Sequence, residues 1–295
     1  MLVKLFRNAS LPQCLSMCVL LFSALFSQPW RAMPKDNQEN LDFAKSYQPR
    51  NKEAQHLRIL LNGPAGAGKS SFINSVDSVL QRKITGRALT DATFGSSFTR
   101  RYTTYKLCKD PVGFYSFVFN DIMGLERLSN NGVHVEDVKL ALRGHVKEHY
   151  EFRPEHPLTE SDLGYNPSPT LDEKVQVLVS VVPADTLPVL SDEIKNKMKD
   201  IRRTASDMGI PQLAVITKVD KACRKARQDV KNVYRSKYLK RLVDEFSAEL
   251  GIPVNCIFLV KNYESEIKTN DDTDALILCA LRQMISFGDD FLRNL

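Results

Sequence analysis

Residues 63–70, which read G-P-A-G-A-G-K-S, have the residue types and spacing needed to hold a phosphate chain. They fit the pattern G-x-x-x-x-G-K-[ST]. Glycines let the backbone curl so that several N–H groups point at phosphate oxygens, and a helix starting there adds a positive dipole. In this pattern the lysine reaches the β- and γ-phosphates and the next hydroxyl binds Mg²⁺. The residues expected to bind phosphate are Gly63, Pro64, Ala65, Gly66, Ala67, Gly68, Lys69, Ser70 and Ser71.

A second motif, D-x-x-G at Asp121 and Gly124, follows an apolar run that reads as a strand. A carboxylate there can hold Mg²⁺ through water, and the Gly124 N–H can meet the γ-phosphate. The pattern alone also describes an ordinary turn, but its place after the glycine-rich loop favours the phosphate role. Ser70 and Asp121 are the first two residues expected to contact Mg²⁺, and we select Thr99 as the third. The alternatives between the first helix and second strand are Thr85, Thr90, Thr93, Thr103 and Thr104.

A third motif, Thr217-Lys218-Val219-Asp220, matches the base-recognition pattern [N/T]-K-x-D. The Asp220 carboxylate can accept hydrogen bonds from both N1–H and the exocyclic amine of guanine. Adenine lacks that pair of donors, so the motif predicts GTP or GDP rather than ATP. We expect Lys218 to pack its stem along the base. Lys261 follows the last strand, where a final loop would touch the base, although its surroundings are nonspecific.

The residue after the D-x-x-G motif is Leu125, whereas related enzymes often place there a glutamine that orients the attacking water. A leucine side chain cannot orient water, and Glu126 is offset by one position. Arg100 and Arg101 are candidates for a charge supplied in cis, but solvated strand-end charges are the simpler interpretation. We therefore assign no catalytic residue and expect hydrolysis to be slow, or to depend on self-association or another protein.

Strands that alternate with amphipathic helices predict the fold that must position these motifs. A helix is expected over residues 70–80, and three later amphipathic stretches follow, the last with its apolar stripe before Gly288. This alternation predicts an α/β, GTPase-like P-loop NTPase fold with three layers, in which a mainly parallel sheet has helices on both faces. The predicted strands are residues 56–61, 114–119, 175–182, 213–216 and 256–260.

An insertion of about fifty residues, roughly 125–172, separates the Asp121 strand from the strand near Val175. Insertions of this size are usually functional or mobile. Within it, His145, Glu148 and His149 fit the H-x-x-E-H zinc-protease pattern. Nearby glycine and proline residues argue against the stable helix which that chemistry needs, so we interpret the histidines as incidental.

The first 28 residues read as an apolar leader, followed by an arm or linker over 29–56 and the nucleotide domain over 57–295. The apolar run 15–27 is shorter than the roughly 20 residues that span a bilayer. Lys4 and Arg7 precede it as in a signal peptide, but no suitable cleavage site follows. Three interpretations stay open: an uncleaved lead-in, a membrane tether with contact through residues 11–27, and secretion.

The amino-acid composition excludes few classes of protein. The chain has 295 residues, 43% hydrophobic residues and a net charge of +6, which suits a globular protein with a sizeable core. Six cysteines without a C-x-x-C pair do not suggest a disulfide framework. The stretch 221–241 holds nine Lys or Arg, which most simply form a solvated helix face. Because only Tyr234 and Tyr238 interleave, no specific nucleic-acid partner is expected.

Several of these segments resemble the interferon-induced protein 44 family over residues 29–295. The resemblance is carried by Pro29-Trp30-Arg31, LRILLNGPAGAGKSSFINSV from Leu57, DIMGLE from Asp121, ALRGHVKEHYEF from Ala141, VVPAD from Val181, ITKVD from Ile216, LGIPVNCIFLVKNY from Leu250 and ALRQMISFGDDF from Ala280. It implies a cytoplasmic, interferon-responsive protein of antiviral innate immunity with a GTPase-like domain. Residues 63–71, 121–124 and 217–220 take the nucleotide roles by position.

Three functions follow as hypotheses. The first is a GTP-binding switch or scaffold that binds Mg²⁺·GTP or GDP, with slow or absent hydrolysis, and acts through unidentified protein partners. The second is an active GTPase stimulated by self-association. The third is an interaction protein with a degenerate P-loop fold that binds no nucleotide. Residues 1–28 lie outside the family resemblance, so a membrane-tethered or secretory location remains an alternative to the cytoplasm.

Overall fold

Continuous apolar runs form the centre of the fold, and amphipathic segments form its outside. The computed structural model describes residues 24–86, 88, 99–109, 112–128 and 131–295. The strands are β1 (Leu57–Asn62), β2 (Thr103–Cys108), β3 (Phe114–Asp121), β4 (Val177–Pro183), β5 (Gln212–Thr217) and β6 (Ile257–Leu259). The helices are α1 (Asn37–Ser46), α2 (Lys69–Gln81), α3 (Val135–Arg143), α4 (Asp192–Asp207), α5 (Val219–Ala222), α6 (Arg224–Gln228), α7 (Lys237–Leu250) and α8 (Asp271–Arg293).

The six strands form one sheet in the order β2-β3-β1-β4-β5-β6. Every neighbouring pair is parallel except β2 and β3, which are antiparallel. Strands β1 and β4 are buried along their whole length, because helices cover both faces. Leu60 belongs to the apolar core on one face and Leu61 to the core on the other. The predicted three-layer α/β fold is therefore confirmed.

Helix α8 extends further than its predicted apolar stripe. The helix runs through Gly288 and ends at Arg293. A Cβ atom at Gly288 would lie 2.5 Å from Leu57 Cδ1 and 2.6 Å from Val177 Cγ2. Glycine therefore lets the helix pack closely against β1 and β4, and here it continues the helix rather than ending it.

The N-terminal arm packs onto the domain along its length. The Trp30 N–H donates to the Tyr234 carbonyl oxygen at 3.0 Å, and Arg31 Nη1 donates to the Ile257 carbonyl oxygen at 2.6 Å. Further along, Arg282 of α8 forms an ion pair with Glu39 of α1 at 2.8 Å. Residues 1–23, which hold most of the predicted leader, lie outside the described residues. In the part of the chain that the structure describes, no helix is long and apolar enough to cross a membrane.

The insertion between β3 and β4 pairs with the backbone that leads into β2. The Tyr102 N–H donates to the Tyr150 carbonyl oxygen, and the His149 N–H donates to the Tyr102 carbonyl oxygen, both at 2.9 Å. The Phe152 N–H donates to the Arg100 carbonyl oxygen at 2.9 Å. Arg101 and Glu151 form an isolated antiparallel bridge within this ladder. The insertion thus covers the backbone at this edge of the sheet, which would otherwise present unpaired groups.

Candidate functional site

The glycine-rich loop connects β1 to α2 and passes very close to β4. A Cβ atom at Gly63 would overlap the Val181 carbonyl oxygen. Gly68, the residue before α2, has a φ of +86°, which glycine adopts without strain. The loop shape therefore requires glycine at both ends. Because α2 begins at Lys69, the N–H groups of its first turn have no partner within the helix and remain suited to an anion.

Lys69 is buried, and its side chain folds back over the loop. Its Nζ donates to the Pro64 carbonyl oxygen at 3.2 Å and to the Gly63 carbonyl oxygen at 3.3 Å. Burial lowers the pKa of this ammonium group, and the negative charge of Asp121 partly opposes that effect. The cation thus lies within the loop that a phosphate chain would enter.

The three residues predicted to contact Mg²⁺ lie together beside the start of α2. The Ser70 hydroxyl donates to Asp121 Oδ2, and Thr99 Oγ1 is 3.4 Å from Asp121 Oδ2 and 3.4 Å from Ser70 Oγ. Burial raises the pKa of the Asp121 carboxyl. The charge of Lys69 and the hydrogen bond from Ser70 offset only part of that rise. Asp121 Oδ1 is buried with no hydrogen-bond partner among the described residues. Hard oxygen groups with one unpartnered carboxylate oxygen fit a Mg²⁺ ion.

The segment after β3 is joined to the glycine-rich loop through its backbone. The Leu125 N–H donates to the Gly63 carbonyl oxygen at 2.9 Å, and the Ala65 N–H donates to the Leu125 carbonyl oxygen at 3.2 Å. A Cβ atom at Gly124 would lie 2.5 Å from Ala65 Cα, so only glycine permits this approach. The Leu125 side chain is fully buried in the core. Its apolar character is therefore a packing requirement at this position.

The candidate charges near Leu125 face in different directions. Arg101 forms an ion pair with Glu151 of the insertion at 3.6 Å, whereas Arg100 and Glu126 line a cavity of about 860 Å³ between this segment and the insertion. Burial raises the pKa of the Glu126 carboxyl, and the nearby cations Lys69 and Lys197 offset only part of that rise. Arg100 and Glu126 are thus the two candidate charges that share a cavity lined mainly by the insertion.

In the T-K-V-D segment, Thr217 supports the loop rather than facing solvent. Its Oγ1 donates to the Ala67 carbonyl oxygen at 2.6 Å, and the residue is fully buried. Lys218 has a φ of +54°, and this left-handed turn directs the chain into α5. Asp220 lies on α5 and is partly exposed. The motif therefore combines a buried contact to the loop with a carboxylate that is accessible from outside.

Asn262, which sequence reasoning did not select, holds the other side of the loop. Its Nδ2 donates to the Gly68 carbonyl oxygen at 3.1 Å, and its Oδ1 is buried without a partner among the described residues. The neighbouring Lys261 forms an ion pair with Glu266 at 2.6 Å. Burial would raise the pKa of Glu266, but the hydrogen bond from Lys261 helps lower it to about 2. The sequence signal that could have identified Asn262 is its position as a polar residue shortly after the last parallel strand, which ends at Leu259.

The residues of the H-x-x-E-H pattern contact separate partners. His145 stacks on Tyr165 with ring centroids 5.0 Å apart, and Glu148 accepts a hydrogen bond from the Thr104 N–H at 2.7 Å. The segment that carries them is not a helix. Throughout the described ranges, no group of three or more His, Cys, Asp or Glu side chains is placed to hold a metal ion.

No protein-family model matches the chain. It is 33% identical over 256 residues to interferon-induced protein 44 of Pan troglodytes, which covers 86% of this chain and 57% of the relative. Identity to interferon-induced protein 44-like of Homo sapiens is 33% over 253 residues, 85% of this chain and 56% of the relative. The chain therefore spans a little more than half the length of these relatives.

Solved structures with a similar overall shape include two of Toc33 from Arabidopsis thaliana. The form with Mg²⁺ and GMPPNP has a TM-score of 0.48 at 15% identity, covering 87% of this chain and 94% of that one. The form with GDP and Mg²⁺ has a TM-score of 0.47 at 16% identity, covering 89% and 94%. These modest likenesses concern shape alone, so the fold is assigned from the strand order and the loop.

A parallel sheet with one antiparallel edge strand, a glycine-rich loop between β1 and α2, and D-x-x-G after β3 together define the P-loop GTPase fold. The relatives that match most of the chain carry one family name at 33% identity. With this fold and with that identity over 86% of its length, the chain belongs to the interferon-induced protein 44 family.

Proposed function

We propose that this protein binds Mg²⁺·GTP or GDP and acts as a switch or scaffold in the interferon response, with slow or absent hydrolysis. The observation that carries the proposal is the convergence of Ser70, Thr99 and Asp121 at the N-terminus of α2. A buried carboxylate beside two hydroxyl groups supplies the oxygen ligands that Mg²⁺ prefers. Bound there, the ion would neutralise charge on the nucleotide phosphates.

Residues around the loop would divide the nucleotide between them. Lys69 would exchange its two backbone carbonyl partners for the β- and γ-phosphates, and the first N–H groups of α2 would bind the phosphate oxygens. The Gly124 N–H would meet the γ-phosphate. Asp220 and Lys218 would recognise the guanine base, while Thr217 and Asn262 hold the loop in shape. Lys261, which is paired with Glu266, would lie at the edge of the base site.

Slow hydrolysis is supported by the position of Leu125. Its backbone is fixed to the loop by two hydrogen bonds and its side chain is buried, so it offers no group to orient water. The alternative is a GTPase stimulated by self-association, for which Arg100 and Glu126 beside the 860 Å³ cavity are the available polar groups. Phosphate release per molecule that increases with protein concentration would favour that alternative.

The biological setting is proposed from the relatives. Their names say that they are interferon-induced. We extend this to a cytoplasmic role in antiviral innate immunity, exercised through protein partners or self-association. Residues 57–295 would form the nucleotide domain, with 29–56 and the insertion 125–172 as attached elements and 1–28 as a leader.

A thermal-shift measurement tests the proposed binding. The full chain is heated with and without GTPγS and Mg²⁺, beside the Lys69→Ala variant. We expect the nucleotide to raise the melting temperature of the natural chain and to have little effect on the variant, since bound ligand stabilises the native state by mass action. No shift in either protein would instead support the nucleotide-free interaction protein.

A further inference from the structure

Positive charge is concentrated beside the T-K-V-D segment. Residues 218–241 contain ten Lys or Arg and two Asp, while the whole chain has a net charge of only +6. The rest of the chain is thus acidic on balance. A localised excess of one charge creates a potential that attracts oppositely charged surfaces.

This segment folds as one unit with its cations outside. Cys223 Sγ lies 3.4 Å from Ser236 Oγ, and Asn232 Nδ2 donates to the Lys225 carbonyl oxygen at 3.3 Å. Its apolar residues, such as Val233, are buried. Apart from Lys218 of the T-K-V-D segment, five exposed or half-exposed cations of this segment, here called the basic surface, form no ion pair with a carboxylate of the described residues. They are Arg224, Lys225, Arg227, Arg235 and Lys237.

The N-terminal part of the chain meets the basic surface directly. The Phe26 N–H donates to the Arg235 carbonyl oxygen at 2.8 Å, and the Lys237 N–H donates to the Ala24 carbonyl oxygen at 3.1 Å. Lys237 Nζ lies 5.5 Å from the centre of the Phe26 ring. The nine residues that precede Ala24 in the sequence read L-S-M-C-V-L-L-F-S and are mostly apolar.

We propose that the basic surface, together with Ala24, Leu25 and Phe26 beside it, binds the surface of an anionic lipid bilayer. A short apolar stretch alone holds a membrane weakly, and stable contact needs a second signal such as a basic patch. Each Lys or Arg near an anionic surface contributes a further increment of binding. This property would be independent of the nucleotide and goes beyond the function proposed above.

A nucleic-acid partner fits the basic surface less well. Proteins that bind single strands stack the bases on exposed aromatic rings. The two aromatic residues of this segment, Tyr234 and Tyr238, are only 2% and 7% exposed. Their rings are therefore not presented to an external base, and charge without stacking favours a bilayer.

Co-sedimentation of the full chain with vesicles tests the proposal. Phosphatidylcholine vesicles with and without phosphatidylserine are compared at low and high salt. We expect phosphatidylserine to increase the bound fraction strongly, and high salt to reverse the increase because exposed charges are screened. The triple variant Arg224→Glu, Lys225→Glu and Lys237→Glu should lose at least about tenfold in affinity for these vesicles.

A matched variant separates local from overall charge. Lys52→Glu, Lys83→Glu and Lys268→Glu change the net charge equally at exposed positions outside the basic surface, and should retain binding. Thermal unfolding checks that both variants fold. Equal loss in the two variants, equal binding to both vesicle types, or tighter binding to single-stranded RNA than to phosphatidylserine vesicles would each overturn the proposal.

Discussion

At the residue scale, Asp121 brings together most of the polar chemistry around the loop. One of its oxygens contacts Ser70 and Thr99, and the other is buried without a partner among the described residues. A buried carboxylate oxygen without a partner is costly, and a bound cation would remove that cost. This cost is the physical reason for the Mg²⁺ site proposed above.

The Ser70→Ala variant tests the role of the hydroxyl. The change removes one expected Mg²⁺ ligand while keeping the loop backbone, so guanine-nucleotide affinity in Mg²⁺ should fall at least about tenfold. In the presence of EDTA, variant and natural chain should bind alike. Nucleotide titration across a Mg²⁺ series measures both values, with Ser265→Ala, at an exposed position, as control. An unchanged Mg²⁺ dependence in Ser70→Ala would contradict the ligand assignment.

The ion pair between Glu266 and Lys261 predicts a pH effect on stability. The pKa of Glu266 is lowered from its ordinary 4.5 to about 2 in the folded protein. Folding therefore favours the charged carboxylate of Glu266. The free energy with which this group stabilises the folded protein is present above pH 4.5 and is lost as the pH falls towards 2. Glu266→Gln should lower the melting temperature slightly at pH 7, and the difference should shrink across that window. A difference that grows on acidification would refute the pairing.

At the element scale, the loop and the insertion are both held by backbone contacts across the sheet. Gly63 approaches β4, the residues after β3 pair with the loop, and the insertion pairs with residues 100–102. These contacts join segments far apart in sequence. A substitution at one of these contacts should therefore affect the stability of a different element as well.

Replacing Gly63 by alanine should destabilise the fold. The new methyl group would overlap the Val181 carbonyl oxygen, and such overpacking costs typically about 1–3 kcal/mol of unfolding free energy. A methyl group at Gly86 would meet no atom of the described residues within 4 Å, so Gly86→Ala should be nearly neutral. Urea unfolding compares the two variants. Equal stabilities would show that the loop does not pass β4 this closely.

Glu148 should help fix the insertion to β2. Its carboxylate accepts hydrogen bonds from the Thr104 N–H and hydroxyl, and bonds to charged groups contribute about 1.5–3 kcal/mol. Hydrogen exchange of residues 145–152 should become faster in Glu148→Ala, while exchange in α8 should not change. Glu160→Ala, at an exposed position in the same insertion, is the control. If exchange were unchanged in Glu148→Ala, contacts other than those of Glu148 would hold the insertion to β2.

At the scale of the whole molecule, the sequence predicted the architecture well because strand and helix periods and the three motifs occur in a consistent order. It did not locate β2, whose half-exposed T-T-Y-K-L-C sequence carries little apolar signal. The pairing of the insertion with residues 100–102 and the contact of Asn262 with the loop also depend on long-range backbone placement. Thr99 was selected from several threonines, and its contact with Ser70 is a long-range one that the sequence does not show.

A calorimetric titration of the full chain with GTP and with ATP, at one fixed Mg²⁺ concentration, tests the central claim most directly. If Asp220 accepts the two donors of guanine, GTP should bind at least about a hundredfold more tightly, since a site built for a hydrogen-bonded group strongly rejects a ligand that lacks it. Asp220→Asn should remove most of that preference. Equal affinity for GTP and ATP, or no binding of either, would contradict the account.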